Sequence, residues 1–155
     1  MLRILVFTLA LVSVFSDCTP AQAPAASTSI SATIPAAQQI QPAELSKMLS
    51  SKSGAALVIQ VGSHIFFQEA HIPGAVFAGP GSQPSGLQAL EAAVASAPKD
   101  KFIVLYCGCC PWNRCPNVGP AFQRLQDLGY TNVKVLYLAN NFGDDWVKKG
   151  YPKVH

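Results

Sequence analysis

Four of the chain's five cysteines fall within nine residues, Cys107-Gly108-Cys109-Cys110-Pro111-Trp112-Asn113-Arg114-Cys115. Thiols at that density suit three kinds of chemistry. A cysteine held as its thiolate is a nucleophile, two neighbouring thiols form a disulfide or exchange one, and three or four thiolates hold a soft ion such as copper(I) or zinc(II). The run starts where the apolar segment Phe102-Ile103-Val104-Leu105-Tyr106 ends. Cys107 therefore stands at the carboxyl end of a buried strand, the place where open α/β sheets form their ligand crevice.

Arg114 is the only cation in the loop and is the candidate for a fixed positive charge beside a thiolate. Cys110 and Cys115 can be bridged across Pro-Trp-Asn-Arg, or Cys107 can pair with Cys115, whereas the adjacent Cys109 and Cys110 close on each other only with strain. The spacing is not that of paired zinc knuckles and no histidine lies nearby in sequence, so no metal ligand and no cofactor is assigned. Trp112 reads as a packing anchor, with an apolar lid over the sulfurs as the alternative. His71 reads as a hydrogen-bonding residue of a turn, and His64 and His155 as surface residues. Phe66, Phe67, Phe77 and Trp146 are expected in the core.

The elements that must position this loop follow from the rest of the chain. Its 155 residues carry 50% hydrophobic and 12% charged side chains and a net charge of +3, enough apolar surface for one domain of ordinary size. Lys148-Lys149 is the only adjacent basic pair, and no basic-aromatic stripe is present, which argues against a nucleic-acid partner. Residues 1–25 have a charged start, an apolar stretch from Ile4 to Phe15 and small residues beyond, the pattern of a signal peptide. The expected location is therefore periplasmic or secreted. Any membrane contact is expected through that leader or, as the lesser alternative, through a lipidated Cys18. Residues 26–40 are rich in Ala, Ser, Thr, Gln and Pro and read as a flexible linker, leaving 41–155 as the folded domain.

Within that domain, strand and helix patterns alternate. Pro42 and Glu44 suit the first turn of a helix whose Leu45, Met48 and Leu49 share a face. Ala55–Val61, Phe102–Tyr106 and Asn132–Leu138 read as strands. Phe67–His71 reads as a short turn or helix, and Gly86–Ala97, Val118–Leu128 and Asp144–Lys149 as helices, with Gly129 ending Val118–Leu128. Such alternation predicts an α/β fold, a central parallel sheet flanked by helices on both faces.

Several segments, in this order, resemble the rhodanese family. Glu69-Ala70-His71-Ile72-Pro73-Gly74-Ala75 resembles its His-Ile-Pro-Gly-Ala segment, and Lys101 to Cys107 resembles its strand running into the active cysteine. Leu128 to Leu136 resembles its helix-to-strand step, and Trp146 with Gly150-Tyr151-Pro152 its closing segment. The resemblance spans Gln41 to Pro152 and implies a single rhodanese-like domain. It also implies sulfane sulfur transfer through a cysteine persulfide, from a small sulfur donor to a thiol or cyanide acceptor. The catalytic candidates it implies are Cys107, Cys109 and Arg114, with Cys110, Trp112, Asn113 and Cys115 contacting substrate. Position at the strand end favours Cys107, while the family's four-residue spacing between cysteine and arginine favours Cys109. Two departures stand out: the loop is longer than the family's, and Gln60-Val61-Gly62 occupies the place of its Asp-Val-Arg. The alternatives are a non-catalytic domain with a disulfide-stapled loop, a thiol-disulfide redox protein, and a soft-metal binder.

Overall fold

The computed structural model describes residues 34–51 and 56–155, so the leader, Cys18 and most of the linker lie outside the described residues. The apolar runs become strands of one parallel sheet: β1 (Gln39–Ile40), β2 (Leu57–Gln60), β3 (Val76–Phe77), β4 (Ile103–Tyr106) and β5 (Val133–Leu136). Their order is β1-β5-β4-β2-β3, which puts β4 at the centre, paired with β2 on one side and β5 on the other. Four helices cover the sheet: α1 (Pro42–Ser50), α2 (His64–Glu69), α3 (Pro84–Val94) and α4 (Val118–Asp127). Pro42 and Pro84 open α1 and α3, at first-turn positions where a missing N–H is harmless.

Side chains alternate across the sheet, and the two faces form separate cores. Ile59, Ile103, Leu105, Val133 and Val135 pack with Leu90 and Val94 of α3 and Ala121, Phe122 and Leu125 of α4. Val58, Val104, Tyr106 and Leu136 pack on the opposite side with Leu45 of α1, Ile72, Phe142 and Trp146. The architecture is thus the predicted parallel sheet with helices on both faces. Two polar contacts tie distant segments to it. The Ile72 N–H donates to the Tyr106 hydroxyl, pinning the His-Ile-Pro-Gly-Ala segment to β4. Trp146 Nε1 donates to the Pro152 carbonyl, pinning the chain's closing segment. Burial pushes the Tyr106 hydroxyl above its ordinary pKa, so it stays protonated.

Several expectations need correction. The fold begins before residue 41: Ile34 and Ile40 are buried, and Gln39–Ile40 pair with Val135 and Leu136. Two apolar residues in a polar tract are too sparse to show periodicity, yet they suffice to cap a sheet edge. Phe66 is 45% exposed rather than buried, because the short helix α2 turns it away from the sheet while Phe67 stacks on His71 and Phe77 packs against His64. The last predicted helix is a single π-type turn, Gly143–Val147, and the short helix around Phe67–His71 starts earlier, at His64. His155 is exposed, as its surface reading expected, and contacts the Glu69 carbonyl through Nδ1. Among the described residues, no helix is long and apolar enough to cross a membrane.

Gly86 shows how closely the layers approach. A Cβ there would lie 2.0 Å from the Pro80 carbonyl oxygen, a backbone atom that cannot swing aside. Alanine is the better helix former by about 1 kcal/mol, yet overpacking of this kind costs roughly 1–3 kcal/mol. The expected outcome for Gly86→Ala is a net loss of stability, measured as a lower denaturation midpoint with an unchanged denaturant slope.

Candidate functional site

Cys107 continues the alternation of β4. Ile103 and Leu105 face α3 and α4, and Cys107 follows in the same phase, so its sulfur enters the crevice on the α4 side. The sheet's chain order reverses here: the connection from β2 runs outward to β3 on one side and that from β4 to β5 on the other. The loops that leave the two strands consequently flank one crevice. Gly62, just after β2, presses against the cysteine; a Cβ there would stand 2.5 Å from the Cys107 carbonyl oxygen and 3.0 Å from its Sγ. Only glycine leaves that space open.

Gly108 turns the chain with φ +91°, a conformation that glycine adopts without penalty. Its carbonyl accepts from the Phe142 N–H, which ties the turn to the segment after β5. The turn brings the next amide back toward the strand end, where the Cys109 N–H donates to Cys107 Sγ. The Cys109 thiol lies 3.2 Å from the same sulfur, and Cys110 Sγ lies 3.1 Å from Cys109 Sγ. The loop then passes through a 3-10 turn, Trp112–Arg114, clamped by a bond from the Trp112 N–H to the Leu138 carbonyl and by the packing of Trp112 on Tyr137. The Trp112 ring is thus seated against Tyr137. Beyond it, Cys115 is buried, and its thiol also donates to Cys107. The Asn117 and Val118 amides at the start of α4 point at Cys115 Sγ.

Asn117 supplies a further donor, and its orientation is fixed. Its Oδ1 accepts from both the N–H and the hydroxyl of Ser82, so its Nδ2 must face the crevice, where it lies 3.2 Å from Cys107 Sγ. Gln60 braces the cysteine from beneath: its Nε2 donates to the Cys107 carbonyl at 3.1 Å while its Oε1 accepts from the Gly62 N–H. Gln60 and Asn117 are the two buried polar residues among those described, and no buried side-chain nitrogen or oxygen lacks a partner.

The result is one sulfur at which donors converge. Hydrogen bonds from Cys109 and Cys115 are the largest influences lowering the Cys107 pKa, and the Cys109 and Asn117 N–H groups add to them against the opposing effect of burial. Cys109 and Cys115 shift upward, first because each donates its proton to Cys107 and then because burial and the neighbouring negative charge disfavour a second thiolate. Donors thus converge on Cys107, and its pKa is shifted downward while those of Cys109 and Cys115 are shifted upward.

The structure therefore brings together Cys107, Cys109, Cys110 and Cys115, with no disulfide joining them. Asn113 and Arg114 are exposed on the 3-10 turn. Among the described residues, the Arg114 side chain forms no hydrogen bond or salt bridge. Sequence reasoning missed Asn117, for which an asparagine just ahead of a helix was the available signal, and noted Gln60 and Gly62 only as a departure from the family's Asp-Val-Arg. Beside the loop lies a cavity of about 440 Å³, whose lining includes Gly108, Cys109, Phe142, Glu69, Lys153 and His155.

A sequence profile of the rhodanese-like domain matches residues 41–138. Among solved structures, a Bacillus halodurans protein is 24% identical with a TM-score of 0.58, over 75% of each chain. The rhodanese-like domain of an Anabaena protein is 19% identical with a TM-score of 0.55, over 76% of this chain and 78% of that one. A rhodanese-related protein of Thermoplasma volcanium is 19% identical with a TM-score of 0.51, over 76% and 97%. These likenesses are of fold. No curated relative matches the sequence.

The electrostatics give a measurable sign. Cys107 has its pKa lowered on folding, so the stability it contributes is present at pH above the ordinary thiol value and is lost as pH falls toward the lowered one. Thiolate ultraviolet absorbance of the reduced protein is expected to persist at about pH 6, well below the ordinary cysteine pKa of about 8.5. Cys107→Ser should abolish it, and Asn117→Ala should move its midpoint upward.

Proposed function

The chain belongs to the rhodanese-like domain family, and from that premise we propose that it transfers sulfane sulfur through a persulfide on Cys107. The observation that carries this reading is the convergence of Cys109, Cys115 and Asn117 on one strand-end sulfur. In the first step, the Cys107 thiolate attacks the outer sulfur of a donor such as thiosulfate. The donor's S–S bond breaks, and sulfite leaves with the electron pair. In the second step, cyanide or an acceptor thiolate attacks the outer sulfur of the persulfide, and the Cys107 thiolate departs as the leaving group. Donors that stabilise the thiolate also make it the better leaving group, which assists the second step.

Access favours the side of Cys109. Gly62, Asn117 and Cys115 cover Cys107 elsewhere, whereas Cys109 and Cys110 are half-buried and Cys109 lines the neighbouring cavity. The amino-terminal pattern makes the protein an exported one in this proposal, working in the periplasm or outside the cell. A second reading, thiol-disulfide exchange between Cys107 and Cys109, is favoured by the 3.2 Å separation of their sulfurs.

The reduced protein is expected to catalyse thiosulfate:cyanide sulfur transfer, with turnover lost in Cys107→Ser. In Asn117→Ala it should fall about tenfold to a hundredfold, since a hydrogen bond to a charged group contributes roughly 1.5–3 kcal/mol. Intact mass after thiosulfate treatment should rise by about 32 Da on Cys107. Loss of two hydrogens on treatment with a disulfide oxidant, with no gain of sulfur on thiosulfate, would support the exchange reading, and absence of turnover in the parent protein would reject sulfur transfer.

A further inference from the structure

Among the described residues, three sulfurs, those of Cys107, Cys109 and Cys110, lie within 4.8 Å of one another. We infer that this trio is a metal site that takes one copper(I) ion. Metal–thiolate bonds of about 2.3 Å place three sulfurs around one ion about 4 Å apart. The contacts of 3.2 Å between Cys107 and Cys109 and 3.1 Å between Cys109 and Cys110 need to open by less than about 1 Å to reach that spacing. The three residues are close in sequence, so rotation of half-buried side chains accomplishes this without moving β4.

The donor set selects the ion. Soft thiolates favour copper(I) and zinc(II) over hard cations. Structural zinc is almost always held by four protein ligands, whereas copper(I) is satisfied by three sulfurs. The fourth loop cysteine, Cys115, is not among the sulfurs that lie within 4.8 Å of one another. The trio is also supported from outside. Asn117 Nδ2, locked in orientation by Ser82, donates to Cys107 Sγ, the kind of outer contact that orients a ligand and holds its charge. Cys109 and Cys110 are half-buried and open a path from solvent, while Cys107 sits at the floor. All three residues coordinate as thiolates, any thiol protons pass to solvent on binding, and neither sulfur nor copper changes oxidation state. The site stands independently of sulfur transfer, since its assembly needs neither a persulfide nor a donor.

Anaerobic titration of the reduced full-length protein with copper(I), in competition with a chromophoric copper(I) chelator, tests the site without any turnover measurement. One ion per chain is expected. Cys110→Ser and Cys109→Ser should each weaken binding by at least about 100-fold, beyond the roughly 10–100-fold typical of losing an outer contact, which is the loss expected for Asn117→Ala. Cys115→Ser, which keeps a hydroxyl donor, should retain one ion per chain. Thermal midpoints of the metal-free variants establish that each is folded. Absence of binding, undiminished affinity in both folded Cys109 and Cys110 variants, or zinc(II) held more tightly than copper(I) would overturn the assignment.

Discussion

Because β4 is hydrogen-bonded along both edges, its pleat cannot slip, and Ile103, Leu105 and Cys107 are held on one face in fixed sequence. A one-residue shift would send the cysteine toward Tyr106's side, away from α4, and would turn Ile103 and Leu105 out of the core they share with α3 and α4. The position of the sulfur is therefore enforced by the burial of its neighbours in the strand. Everything else in the site is arranged around a point that the sheet has already fixed: the turn at Gly108, the amide of Asn117 and the close approach of Gly62.

Around that point the protein holds negative charge with neutral groups. The contacts to Cys107 Sγ come from two thiols, a backbone N–H and a carboxamide, and the residue beneath the loop is Gln60 rather than an acid. Arg114, the one formal cation of the loop, is out on the surface. Burial alone would raise the thiol's pKa; short-range donors with fixed directions outweigh it. Neutral donors of this kind avoid the desolvation cost that a buried ion pair carries. They are also little affected by salt, unlike a charge placed at the surface.

The architecture was legible in the sequence wherever apolar residues ran long enough to show a period. The three central strands, the helices from Pro42 and Val118, and the stop at Gly129 all follow from patterns of four residues or more. The two-residue edge strands β1 and β3 carry no period at all, and Ile34 and Ile40 are lost in a polar tract. In the site, the strand-end position of Cys107 was readable from local order. The parts that could not be read are the contacts between remote segments: Gln60 reaches the Cys107 carbonyl across 47 residues and Asn117 reaches Ser82 across 35. Charge drew attention to Arg114, while Asn117, three residues further on, makes the contact to Cys107.

Asn117 has no slack in its geometry. One end of its carboxamide is anchored to the Ser82 backbone and hydroxyl and the other meets the cysteine sulfur, so the group works as a rigid strut between the loop ahead of α3 and the crevice floor. Anything that lengthens or displaces that sulfur must push on the strut, and the load is carried to residues that touch no ligand. The state of one atom at the centre of the sheet is thereby made audible at the foot of a helix on the outside of the molecule.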